Sequence, residues 1–270
     1  MSHGDAMNPT LLTERKGRVV TATLARPPVN ALDGDLIARL DALVSEIEAD
    51  ADVVVLHLRG NRKCFCAGAD LAAMRACFAT PDGADAMVET VTRMQRVFER
   101  LESAAVVTLA EIGGAAMGGG LELALACDLR VAAAEALLGL PEARLGLLPA
   151  AGGTQRLTRL CGEGVAKRLI LGAEPVDGVE ALRLGIVQWV QPGGELEAWT
   201  RELAARIGAM PKAALVASKR CIAAAGEPGR RGFAEEIVAT RDLYGRAETK
   251  RRVTEFLDRR ADRSGATEAR

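Results

Sequence analysis

The sequence predicts an α/β protein, with a core of parallel strands and helices over roughly its first two thirds and a helical region after that. Three observations carry this. Nearly continuous apolar runs of strand length occur at 53–58 and 106–110, the text of strands buried on both faces. Strand, glycine-bearing loop and helical spacing then recur as a unit, which favours parallel strands. From Gly152 onward the apolar spacing is helical almost throughout, and Gly, Pro or Asp stands at most breaks. The expected division is a loose N-terminus over 1–10, a core over 11–195, a helical region over 196–262 and a frayed tail over 263–270.

The elements follow in order. Residues 18–24 alternate Val19/Thr21/Thr23 against Val20/Ala22/Leu24, a strand that Pro27 and Pro28 end. Asp33 caps a helix to about Ala49, with Leu36, Leu40, Leu43, Val44 and Ile47 on one face. His57 lies in the 53–58 strand and reads as a core histidine. Residues 60–70 (GNRKCFCAGAD) read as a loop, with a short helix from about Asp70. A helix over 84–101 places Met87, Val91, Met94, Phe98 and Leu101 at helical spacing, a stripe that reads as core. After the 106–110 strand come a glycine stretch, a helix over 119–127 and a strand over 129–133. Helices are expected at 152–160, 163–172, 178–184, 195–209, 212–225, 230–244 and 247–259. The Arg-rich end (Arg246, Lys250, Arg251, Arg252, Arg259, Arg260) reads mainly as solvated helix faces.

Composition excludes several functions. The 270 residues carry a net charge of −1 and only eight Phe, Trp and Tyr, so neither a basic field nor a stacking surface calls for nucleic acid. Six cysteines without a CxxC pair and only two histidines argue against zinc and for reduced thiols, hence a cytoplasmic protein. Neither a signal peptide nor an eighteen-residue apolar run is present, so no membrane contact is expected. The glycines fit neither G-x-G-x-x-G nor a P-loop, G-x-S-x-G is absent, and a buried His57 suits no triad. What remains is carboxylate acid/base chemistry aided by backbone donors, with no metal and no cofactor.

That chemistry centres on residues 112–142. Five glycines fall within the eight residues 113–120, just before a short apolar helix. The first N–H groups of a helix starting at Gly119 have no intrahelical partner and favour negative charge. A second donor is available from the other glycine-bearing loop, 66–70. Glu122 lies one turn past Gly119, and Glu142 follows Pro141. Spacing leaves two readings of these glutamates open. They are an acid and a base set apart by their surroundings. Or Glu122 is a first-turn glutamate favoured by the dipole, and Glu142 pairs with Arg144 or Arg156.

Six segments resemble one family: RPPVNAL (26–32), FCAGADL (65–71), GGAAMGGGLELALACD (113–128), LGLPEARLGLLPAAGGTQRL (138–157), EALRLGIVQWV (180–190) and VTEFLDRR (253–260). In this order, and over about 15–260, they are similar to the enoyl-CoA hydratase (crotonase) family. The resemblance implies a spiral of ββα units, a helical trimerisation region, homotrimers or homohexamers, and a coenzyme A thioester substrate. It implies that the N–H groups of Ala69 and Gly119 form an oxyanion hole and that Glu122 and Glu142 are catalytic. It places Ala67, Ala69, Asp70 and Leu71 along the coenzyme A. Two departures stand out: Gly113 replaces the Asn or His of many members, and Ala72 replaces a frequent lysine. Keeping both glutamates favours a hydratase. A double-bond isomerase, which relies on one carboxylate, is the first alternative, and a non-catalytic CoA- or RNA-binding scaffold is the second.

Overall fold

The computed structural model describes residues 10–60, 64–226 and 229–268, with side chains as far as Asp258. Residues 1–9 of the expected loose N-terminus, and the side chains of Arg259 and Arg260, lie outside the described residues. The chain divides into two compact units, Met1–Gly208 and Ala209–Arg270.

The first unit opens with a hairpin of β1 (Leu11–Lys16) and β2 (Val19–Leu24), turned by Gly17 at φ 60°. Only β2 is expected from the sequence; β1 is mostly exposed and charged, so no apolar pattern marks it. Next, α1 (Gly34–Ala49) starts where Asp33 accepts the N–H of Leu36 at 2.8 Å. It buries Leu36, Ile37, Leu40, Leu43, Val44 and Ile47, the expected face and one residue more.

Three turns of one plan follow. The first holds β3 (Val55–Gly60), β4 (Cys64–Cys66), α2 (Leu71–Cys77) and α3 (Gly83–Ser103). The second holds β5 (Val107–Ile112), β6 (Ala115–Met117) and α4 (Gly119–Leu125). The third holds β7 (Leu129–Ala133), β8 (Leu137–Gly139), a 3-10 turn Glu142–Leu145 and α5 (Gly153–Leu171). The leading strand of each turn joins a six-stranded sheet, β1-β2-β3-β5-β7-β10, and the second joins a four-stranded sheet completed by β9 (Val176–Asp177). Then come α6 (Gly178–Arg183), β10 (Trp189–Gln191) and α7 (Gly193–Gly208). From β2 to β10 the large sheet is parallel. This is the expected spiral of ββα units. The two helices expected over 152–172 form α5, interrupted at Gly162, whose φ is 78°.

The short strands β4, β6 and β8 lie inside stretches that read as loops. Three residues give too little alternation to detect. They matter because they put loop ends beside one another. A Cβ on Gly120 would stand 2.0 Å from the carbonyl oxygen of Cys66, so α4 rests directly on β4. Gly120→Ala is expected to cost about 3 kcal/mol, the upper end for overpacking, read as a lowered urea midpoint. An unchanged midpoint would mean that this contact is slack.

His57 is fully buried on β3, and its Nε2 stands 2.9 Å from Glu111 Oε2. Arg59 continues the chain, 3.1 Å from Glu111 and bonded at both terminal nitrogens (2.7 Å each) to Glu197 of α7. His57 is thus a paired core residue. Arg59 ties the sheet to α7, and His57 lies outside the cavity described below.

The second unit holds α8 (Lys212–Ala224), α9 (Gly232–Gly245) and α10 (Ala247–Glu268). Of the side chains described in these helices only Ala224 is buried, whereas Ile222, Phe233, Ile237, Val238 and Phe256 are exposed. No helix among the described residues is long and apolar enough to cross a membrane.

Candidate active site

Two glycine turns bring together loops fifty residues apart. Gly68, at φ 97°, turns the chain after β4, and a Cβ there would lie 2.8 Å from the Met117 carbonyl oxygen and 3.2 Å from Gly119 N. Gly118, at φ 52°, precedes α4. A Cβ on Gly119 would be 3.6 Å from Ala69 N. Among the described residues neither the Ala69 nor the Gly119 N–H donates to a backbone carbonyl. The Ala69 loop is fixed instead by its neighbours. Leu32 N donates to Gly68 O (2.8 Å), Asp70 N to Leu32 O (3.1 Å) and Ala67 N to Val29 O (3.0 Å).

Glu122 follows one turn into α4 and is 3% exposed. Its Oε1 accepts the N–H of Gly153 at 2.7 Å, the first residue of α5. Burial pushes its pKa up to about 7; the charge of Glu142 adds to this, while the Gly153 N–H opposes it. Glu142 begins the 3-10 turn and reaches back over Gly118, where a Cβ would stand 2.9 Å from its Oε1. Burial raises its pKa too, and its Oε2 is buried with no hydrogen-bond partner among the described residues. The arginine pairings left open for Glu142 are not made: Arg144 donates to Ala173 O (2.7 Å) and Arg156 to Glu102 (2.8 Å). Cys66 is no nucleophile here, since burial pushes its thiol up to about 12.

Both glutamates line one cavity of about 510 Å³, together with Ala67, Ala69, Leu71 and Gly119. Asp70 is placed differently. Its carboxylate accepts from Ala72 N (2.9 Å) and Ala73 N (3.0 Å) and pairs with Arg26 (2.6 Å), so it caps α2 and is not part of the cavity lining. The rest of the wall is apolar and needs a correction to the sequence reading. Met87, Val91 and Met94 do not belong to the core stripe alone: α3 turns them toward the cavity, and only Phe98 and Leu101 are purely core. Phe78 (71% exposed), Val88 (65%) and Leu148 (63%) stand at its open edge. Helical spacing identifies a helix face but does not say whether that face meets side chains or a void. Two methionines and two valines on one such helix (Met87, Val88, Val91 and Met94) are the available signal, because flexible thioethers suit a surface that must fit a variable ligand. Among the described residues no three His, Cys, Asp or Glu side chains are grouped to hold a metal ion.

A ββα spiral thus sets two backbone N–H groups and two raised carboxyls against an apolar cavity, an arrangement chemically able to hold a carbonyl oxygen and move protons beside it. Residues 14–263 match the enoyl-CoA hydratase/isomerase family model, and the chain belongs to that family. The short-chain-enoyl-CoA hydratase of Clostridium acetobutylicum is 38% identical over 214 residues, 78% of this chain and 80% of that protein. The structure of Pseudomonas aeruginosa DspI superposes with a TM-score of 0.86 at 39% identity, covering 95% of this chain and 98% of that one. The enoyl-CoA hydratase of Bacillus anthracis gives a TM-score of 0.87 at 31% identity, covering 93% and 96%.

Proposed function

We propose that the protein is an enoyl-CoA hydratase that adds water reversibly and syn across the 2,3 double bond of a 2-enoyl-CoA, giving a 3-hydroxyacyl-CoA. The observation that carries this is the pair Glu122 and Glu142, both raised by burial and both lining the cavity that Ala69 and Gly119 enter. The thioester oxygen takes up charge and is held by the N–H groups of Ala69 and Gly119. Glu122 removes a proton from a water whose oxygen bonds to C3. Glu142 delivers a proton to C2. The backbone over 67–71 lies along the coenzyme A, with Ala67, Ala69 and Leu71 facing the ligand, and Asp70 orders that segment by capping α2. The reaction needs no metal or redox cofactor. The partner is an acyl-CoA thioester in the cytoplasm. The exposed apolar residues of α8–α10 support assembly into a homotrimer or homohexamer.

Protonation fits a reversible reaction. Burial raises both Glu122 and Glu142. Hydration needs Glu122 ionised and Glu142 protonated, and dehydration needs the reverse. A pair that holds one proton between them serves both directions, and its pKa values belong to the pair. A bell-shaped pH dependence of kcat/KM is therefore expected.

Incubation with crotonyl-CoA is expected to remove the conjugated enoyl thioester absorbance and yield 3-hydroxybutanoyl-CoA. Double-bond migration in a 3-enoyl-CoA without water addition would replace this reading with an isomerase. Binding of CoA ligands or RNA without turnover would replace it with a scaffold role.

A further inference from the structure

Asn30 is fully buried, lies at φ 54°, and takes no part in the chemistry above. A non-glycine residue in the left-handed region marks a place where the surroundings over-determine the backbone. Its Nδ2 donates to the carbonyl oxygens of Cys64 (3.1 Å) and Phe65 (3.0 Å). These carbonyls lie where β4 loses even register against β6, with Cys64 opposite Ala115 and Cys66 opposite Ala116. Such an irregularity bends a strand and leaves backbone groups outside the ladder. Only the nitrogen side of an amide can face two carbonyl oxygens, so chemistry fixes the orientation of Asn30. Its Oδ1 is left with no partner among the described residues.

The residues flanking Asn30 hold the same segment further along. Val29 O takes the Ala67 N–H, and Leu32 N donates to Gly68 O. From the far side, Gly60 admits the bulge: a Cβ there would stand 2.3 Å from Cys64 O. Residues 29–32 are thus a template on which 64–69 is laid, and Asn30 grips that segment at the register shift of β4.

We propose that Asn30 is a positioning residue for the N–H of Ala69. By clamping the bend in β4 it sets the gap between the Ala69 and Gly119 N–H groups, and so whether one oxygen can meet both. This rests on the reading of those two groups as the oxyanion hole.

The test binds butanoyl-CoA, labelled with ¹³C at the thioester carbonyl, to the wild type and to N30G, N30D and N30S. Infrared spectroscopy reads the carbonyl stretch of the bound ligand, and kinetics give kcat and KM for crotonyl-CoA. Glycine keeps the backbone conformation and deletes the amide. Aspartate keeps the shape and presents acceptors to two carbonyls. Serine retains one donor. The wild type is expected to lower the stretch of the bound carbonyl. N30G and N30D lose most of that shift and about a hundredfold in kcat, as for a displacement of the order of 1 Å, with KM little changed. N30S keeps an intermediate shift. A purely structural Asn30 would reduce the folded fraction and leave the shift of the bound ligand at its wild-type value; that result in any of the three overturns the proposal. Absence of a shift in the wild type overturns the oxyanion reading itself, a different outcome.

Discussion

Glu122→Gln is expected to lower kcat for crotonyl-CoA hydration by about 10³-fold, within the usual range for removing a general acid/base. Glutamine keeps an oxygen for the Gly153 N–H, so the first turn of α5 stays in place and the loss reports on proton transfer. The same substitution is expected to stabilise the protein, in a definite pH window. Burial raises Glu122 from 4.5 to about 7. The folded state therefore holds this proton more tightly than the unfolded chain does. Stability is lost as pH climbs from about 4.5 to about 7, and the deficit is complete above that. At about 1.4 kcal/mol for each pH unit the deficit is about 3 kcal/mol. Denaturant titrations of Glu122→Gln should match the wild type near pH 4 and exceed it by about that amount near pH 8. Equal stability at both pH values would show that the carboxylate is better solvated than its burial implies.

The site is only partly legible in the sequence. Glu122 and Gly119 were legible because a helix start carries its own logic: orphan N–H groups, and a carboxylate one turn on. The identity of Ala69 as the second donor rested on the resemblance, because the closeness of Ala69 and Gly119 depends on β4 and β6, three-residue strands that leave no periodic trace. The larger strands and helices were legible for the opposite reason. Each buries a run long enough to show its period, as α1 does with six buried residues on one face. β1 fails that test because its outer positions are charged and exposed. The cavity wall on α3 is not legible because Met87, Val91 and Met94, the last of them both buried and lining the cavity, share their spacing with Phe98 and Leu101, which are core. Asn30 gave no local signal: its role lies in two carbonyls more than thirty residues away.

Glu142→Gln should separate the two carboxyls, because only one of them is assigned to C2. Glu142 reaches the cavity from a 3-10 turn behind Pro141, and Gly118 lets it approach where any side chain would collide with Oε1. Its buried Oε2 has no partner among the described residues and so is available to a substrate hydrogen. Crotonyl-CoA hydration is expected to fall about 10²- to 10³-fold in this variant. The sharper measurement uses butanoyl-CoA, which has no double bond to hydrate. In D2O the wild type is expected to exchange a C2 hydrogen for deuterium, since Glu142 can remove it while the Ala69 and Gly119 N–H groups hold the enolate oxygen. Glu122→Gln should keep that exchange even as hydration fails, because the water at C3 is not involved. Glu142→Gln should abolish it. Exchange that survives in Glu142→Gln would move the C2 proton to another group. Exchange lost equally in both variants would mean that the carboxyls act only as a coupled unit, with the proton passing between them before it reaches carbon.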